Sequence, residues 1–539
     1  MKEEANKQFR DYSEKFFKEY LKYSPTHAVT LGLHEYDGKM SDTSLSGIKK
    51  ERLFFESLYN ELLKIKYEEL SLENQFDYDL IKWSLESDFF EHDEIQAYKR
   101  NPMAYALMFI NMSNYLNRDY APFEDRLSSI ISIMKEIPNV IENAKINIDE
   151  VVPKIFCKYA KQFASGYEDF FENEIMDEIN KRKVNEKLVN EYKEVCITTV
   201  KAFNDFIKYI DDVLIPKAND NFRLGEEKFT KMLRIEEHID IPIPELKKLG
   251  EEELERLKKQ LKEIGGDEYD HDDFLNNHPT ENNLITETDN TLNELIEYIK
   301  EKDLISIPDN LNCIVKEMPH YMKIGFAAMS TAGPFEKSDE SFYFVSLPDK
   351  SFNEKDKKEW MTLFNYPTLK LISIHEAFPG HYTHFLNANL HASKLAKIFM
   401  CYTYVEGWAH YTEEMMVEHG YGNGDLHIRI AQIKEALVRC CRYLAAIGLH
   451  CENMSLEEAA SLFTEHAKIS NTTAKHEAER GAFDPGYLSY TLGKILLKKL
   501  KNDFFAKHNG KYSLKDFHNK IVSSGAPTYK IISKYILND

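Results

Sequence analysis

At 539 residues the chain exceeds what one domain usually holds, and 43% hydrophobic with 12% aromatic content suffices for a sizeable core, which excludes disorder for most of it. A formal net charge of −21 argues against a nucleic-acid partner, which calls for a basic stripe. No uncharged apolar run reaches the roughly 18 residues a spanning helix needs, so no membrane partner is expected. The start, MKEEANKQFRDYSEKFFKEY, is charged throughout, so a signal peptide is not expected either. The cysteine count is 7, thinly spread and without a C-x-x-C pair, which suggests neither a disulfide framework nor a thiolate metal site. These traits set the expectation of a soluble, reduced, cytoplasmic protein.

From the N-terminus, Phe9, Phe16, Phe17, Tyr20 and Leu21 recur at three- and four-residue steps, which predicts an amphipathic helix from Asn6 to Leu21. Pro25-Thr26 breaks it. Similar patterns fill Leu45 to Asp93, Phe123 to Ile146 and Val151 to Leu214, giving an N-terminal helical region over 1–215. A charged helical and loop connection follows over 216–310. Within it Glu251 to Ile264 is so charged that it reads as an exposed helix, and Gly265-Gly266 open an acidic loop to about Asn283. Asp270, His271, Asp272 and Asp273 in that loop read as a solvated connection rather than a cation site. Phe342 to Leu347, ended by Pro348, is the strongest strand candidate. Its two readings are an edge that grips extended substrate and a buried hairpin strand.

The third region, 311–539, carries the chemistry. His375-Glu376-Ala377-Phe378-Pro379-Gly380-His381 looks like the zinc signature H-E-x-x-H, in which a four-residue step puts both imidazoles on one helical face. Here the second histidine comes six residues on, about 240° around a continuous helix, where the two rings share no ion. Pro379 and Gly380 permit a break that brings His381 back beside His375. The third ligand is sought in Tyr404 to Glu414, where Glu406, His410 and Glu413 share one helical stripe. Glu406 is placed first, with Gly407 beside it allowing close backbone approach, and His410 and Glu413 as supporting groups or alternates. Glu376, next to a ligand, is the candidate general base.

HEAFPGH, VEGWAHYTEE and the later PGYLSYTLGK together resemble the family of candidate zinc metallopeptidases catalogued as domain of unknown function 885 (DUF885). Its pattern is H-E-x-x-P-G-H, E-G-W-A-x-Y-x-E and R-Y-x-x-x-P-G-x-x-x-S-Y-x-x-G. Pro25-Thr26, Gly32, His34, Tyr36-Asp37 and Asp42 near the start, Asn101-Pro102 and Arg118 to Pro122 in the middle, and Arg442 and Gly448 to His450 later extend the likeness nearly end to end. The resemblance implies His375, His381 and Glu406 as metal ligands, Glu376 as base, and active-site roles for His450, Arg480 and Tyr490. A more distant similarity to the thimet oligopeptidase and carboxypeptidase Taq group implies a mainly α fold, with two lobes around a deep channel and a small β-sheet near the metal. The chain departs from the family pattern at His384 (commonly glutamine), Ala446 (usually aspartate) and Gly481 (usually tyrosine); the first admits a rival second ligand.

These readings lead to one zinc ion per chain, with Glu376 moving the proton of the attacking water. Tyr490, His450 and Arg480 are candidate donors to the oxyanion, and Arg480 is also a candidate partner for a substrate carboxylate. The expected partners are short peptides. Two histidines and a carboxylate also suit iron, manganese or cobalt. A zinc hydrolase of a non-peptide amide or ester would keep the same ligands, whereas a silent peptide-binding scaffold is disfavoured because Glu376 and every ligand are present.

Overall fold

The computed structural model describes residues 2–266, 275–319, 325–349 and 352–538, and Asp270, His271, Asp272 and Asp273 lie outside them. The protein is mainly helical with a small three-stranded sheet, and the chain forms two compact units. The first is built chiefly from Met1–Phe222 and a returning segment, Ala332–Glu340. The second holds Arg223–Met318, Gly325–Thr331 and Ser341–Asp539. The stretch 216–310 is therefore no separate connection: from Arg223 onward its helices bury apolar faces within the second unit.

In the first unit, helix α1 (Lys2–Tyr23) buries Phe9, Tyr12, Phe16, Phe17, Tyr20 and Leu21 on one face, as the periodicity predicts. The next apolar stretch divides into α2 (Leu45–Leu62) and α3 (Leu72–Phe90), each begun by a serine cap. Ser44 and Ser71 accept from the backbone N–H groups of Gly47 and Asn74, satisfying donors a helix start leaves over. Helix α4 (Phe123–Asn147) follows. The pattern from Val151 to Leu214 is broken into α5 (Lys154–Asp169) and α6 (Glu186–Tyr209), the latter capped by Asn185 and packed on α4 and α5.

The returning segment of this unit is held by close backbone approach and by one histidine. The Phe335 N–H donates to the Leu31 carbonyl at 2.9 Å, and a Cβ on Gly333 would sit 2.4 Å from the Leu31 backbone. His34 lies between Asp37 (3.1 Å) and Glu336 (2.9 Å), its ring stacked on Tyr120. Burial opposes its charge, but the bonds to Asp37 and Glu336 win and push its pKa up to about 9. Because this exceeds the unfolded value of 6.5, the contribution to stability is full below pH 6.5 and fades as pH rises through about 9. His34→Gln is expected to flatten that part of the stability curve, read by urea unfolding between about pH 6 and pH 10. A variant curve running parallel to wild type would assign the slope to other groups.

In the second unit, helix α7 (Ile243–Glu263) is not the exposed helix its charge suggests. It buries Leu246, Leu254, Leu257 and Leu261 and packs against a later helix containing Tyr443, whose ring would lie 2.5 Å from a Cβ on Gly250. Glu253 is buried too, paired with Arg256 at 2.6 Å and Lys494 at 2.7 Å. The sheet runs β1 (Cys313–Glu317), β3 (Ser341–Val345), β2 (Ala327–Ser330), with β1 parallel and β2 antiparallel to β3. The expected strand is thus central and wholly buried, so it is not the edge that grips substrate. Among the described residues β2 is an edge strand, packed against helix α8 (Tyr366–Glu376). No described helix is long and apolar enough to cross a membrane.

Candidate metal centre

Helix α8 stops at Glu376, and α9 (His381–His391) begins five residues later. Ala377 leaves helical geometry at φ −116° and ψ −80°, so the expected break falls at Phe378-Pro379-Gly380. What demands glycine there is space rather than a left-handed backbone: φ is −70°, but a Cβ would lie 1.8 Å from the His375 carbonyl oxygen. The break returns His381 to His375, with ring centroids 4.8 Å apart and planes at 85°.

Helix α10 (Tyr402–Glu418) supplies the carboxylate. Two contacts fix its height. The Trp408 indole N–H donates to the Pro379 carbonyl at 2.9 Å, tying the helix to the break itself. Gly407 meets Gly493 of helix α12 (Ser489–His508), where a Cβ on Gly493 would lie 2.1 Å from the Thr403 carbonyl oxygen. The close approach sought at Gly407 is therefore to another helix. Glu406 Oε2 then lies 3.4 Å from His375 Nε2 and 3.6 Å from His381 Nε2. One ligand atom from each of the three falls within 4.8 Å of the others, the sole such group among the described residues.

His375 Nδ1 is 2.7 Å from Glu413 Oε1, and Arg439 reaches the same carboxylate at 3.0 Å from helix α11 (Leu426–Cys451). With Nδ1–H donating to Glu413, His375 presents its Nε2 lone pair toward Glu406 and His381. Glu413 is thus an orienting group and not an alternate ligand. His384 stands outside the group of converging ligand atoms; its Nε2 donates to the Gly525 carbonyl at 2.8 Å and burial lowers its pKa to about 4. His410 has Nδ1 3.4 Å from Glu413, and burial lowers its pKa to about 3.

The donor set fits a divalent cation. Glu406 Oε2 is buried without a hydrogen-bond partner, costly for a carboxylate unless a cation meets it. Burial works against its charge, but His381 and His375 outweigh it and hold Glu406 well below the usual carboxylate range. Burial likewise opposes charge on His375, yet Glu406 and Glu413 pull its pKa up to about 9. The spot favours positive charge. Two imidazole nitrogens and one carboxylate oxygen are the ligand set of a catalytic zinc site with a position left open.

Of the remaining expected residues, Glu376 ends α8 half-buried, and its charge adds to burial in pushing the Tyr343 phenol of β3 up. Tyr490 stacks its ring 6.3 Å from that of His375, and its hydroxyl accepts from Arg480 at 3.2 Å and from Tyr402 at 3.2 Å. His450 differs from expectation. Its Nε2 donates to the Gly481 carbonyl at 2.9 Å and its Nδ1 accepts from the Leu224 N–H at 3.4 Å, so both nitrogens are occupied by backbone. It braces the backbone of the residue after Arg480. Tyr402 and Arg439 were not foreseen. Tyr402 lies four residues before Glu406 on the same helical face, a spacing that marks it, whereas nothing local marks Arg439.

The family described as a bacterial protein of unknown function, DUF885, matches residues 25–536. Two solved structures are similar over almost their whole length. One is a candidate lipoprotein of unknown function from Shewanella oneidensis, 23% identical with a TM-score of 0.80, the match covering 97% of this chain and 98% of that one. The other is a candidate lipoprotein from Colwellia psychrerythraea, 16% identical with a TM-score of 0.82, covering 99% and 98%. At these identities the likeness shows the fold alone. No curated protein matches the chain.

Proposed function

This chain belongs to the DUF885 family of bacterial proteins of unknown function, so an activity has to be argued from its site, and we propose a zinc-dependent peptidase of short peptides. The observation that carries the reading is Glu406 Oε2, buried without a hydrogen bond and facing the Nε2 atoms of two histidines at 3.4 and 3.6 Å, with Glu376 adjoining one of them. His375, His381 and Glu406 would hold one zinc ion, which when bound supplies Lewis acidity toward a carbonyl and acidifies water.

The rest of the work falls to the chain. Glu376 takes a proton from the attacking water and returns it to the leaving amine. The Tyr490 hydroxyl, held by Arg480 and Tyr402, donates to the oxygen that gains charge as the carbonyl becomes tetrahedral. Glu413, itself anchored by Arg439, keeps the His375 ring from rotating. Strand β2, at a sheet edge against α8, gives extended substrate backbone a place to pair.

The test is hydrolysis of a hexapeptide library followed by mass spectrometry, before chelation, after it, and after zinc is restored. Cleavage that disappears with the metal and returns with zinc is expected. A zinc-replete protein that cuts no peptide sinks the peptidase reading, and cleavage that persists in demetallated protein sinks the metal dependence.

A further inference from the structure

We propose that Arg480, flanked by the Tyr402 and Tyr490 hydroxyls, receives the free C-terminal carboxylate of the peptide, so that the protein removes one or two residues from C-termini. The inference rests on the peptidase reading above and specifies its substrate.

Three arginines crowd Tyr487 and Tyr490 at the start of α12, and their pairing differs. Arg439 is 9% exposed and bound to Glu413 at 3.0 Å and to Glu435 at 3.0 Å. Arg442 is 15% exposed and holds Glu477 with two bonds, at 2.7 and 2.9 Å. Each therefore has its charge matched by a close carboxylate. Arg480 is 34% exposed, and the Asp484 carboxylate stands 3.6 Å from its Nε, which is long for a charge-assisted bond. Its Nη2 meets two neutral phenols, Tyr402 at 3.3 Å and Tyr490 at 3.2 Å. Of the three, Arg480 is the guanidinium whose fork retains charge to offer an incoming carboxylate, and the planar fork favours bidentate capture. Tyr402, by turning its one hydroxyl proton away from Tyr490, can donate to the same anion.

The position suits that task. Tyr490 spans the gap between Arg480 and the ligand His375, through a 3.2 Å bond on one side and a 6.3 Å ring separation on the other. Extended peptide covers about 3.5 Å per residue, so a carboxylate at Arg480 lies within a few residues' reach of the bond beside the metal ligands. His450 and Gly481 hold this geometry from behind, because the His450 bond fixes the carbonyl next to Arg480 in sequence.

The experiment uses N-acetylated hexapeptides, each supplied as free acid and as C-terminal amide, with zinc-loaded wild type and Arg480→Gln. Wild type should prefer acids by about 10- to 100-fold in kcat/KM, the range a charged hydrogen bond supplies, and shorten them by one or two C-terminal residues. In Arg480→Gln the acid-to-amide ratio should collapse toward one, whatever the overall rate. Equal cleavage of acids and amides by wild type, or cuts mapped elsewhere in the peptide, overturns the proposal while leaving the peptidase reading intact. If no peptide is cut, enrichment of acids over amides on zinc-loaded Glu376→Gln decides it: enrichment lost on adding Arg480→Gln supports the carboxylate site, and no enrichment overturns it.

Discussion

On the proposed mechanism, Glu376→Gln should keep zinc and fold and turn peptides over about 10²- to 10⁴-fold more slowly than wild type, the loss expected when a positioned base is removed. Glutamine has the same shape and hydrogen-bonding reach but no lone pair basic enough to take the water's proton. The residue closes α8 one position after His375 and is not among the three ligand residues, so the metal should be indifferent to the change. The comparison therefore needs two numbers from one preparation: zinc per chain by elemental analysis, and kcat on a peptide that wild type cuts. A fall in kcat with unchanged zinc and a similar KM places the loss in the chemical step. Full activity in the variant would remove Glu376 from the mechanism, and loss of zinc along with activity would make it a ligand.

The parts of this site legible in the sequence are those with local signals. Proline and glycine between two histidines announce a broken helix, and α8 does end at Glu376 and α9 does begin at His381. The Glu406–His410–Glu413 stripe follows from helical period alone, although which member faces His375 and His381 needed the tertiary structure. What stayed hidden depends on partners distant in the chain. The Trp408 bond to Pro379 and the contact of Gly407 with Gly493 join motifs that a sequence shows only as separate words. Arg439 has no pattern to mark it, because its value lies in reaching Glu413 from another helix. The same reasoning explains the charged helix α7. Glu253 reads as a solvated residue, yet Lys494 meets it more than two hundred positions later and lets it be buried. His450 illustrates the converse: its place in a family motif is legible, but the two backbone groups that occupy its ring are not.

His381→Ala should abolish zinc binding as isolated, taking the metal from near one ion per chain to near none and the activity to background. This loss is distinct from unfolding. His381 is the first residue of α9, where alanine is tolerated, and its Nδ1 makes no hydrogen bond that the fold would miss. What disappears is one of three converging donors, which leaves Glu406 facing His375 alone across 3.4 Å. Elemental analysis after gel filtration reads the metal, and far-ultraviolet circular dichroism with a urea midpoint checks the fold. Stoichiometric zinc retained by a folded variant would contradict the three-residue site. His384 is a poor candidate to rescue it, since it is not among the residues whose ligand atoms converge there. Zinc lost together with the urea midpoint would instead show that His381 contributes to the fold itself, and the ligand assignment would then have to stand on His375 and Glu406.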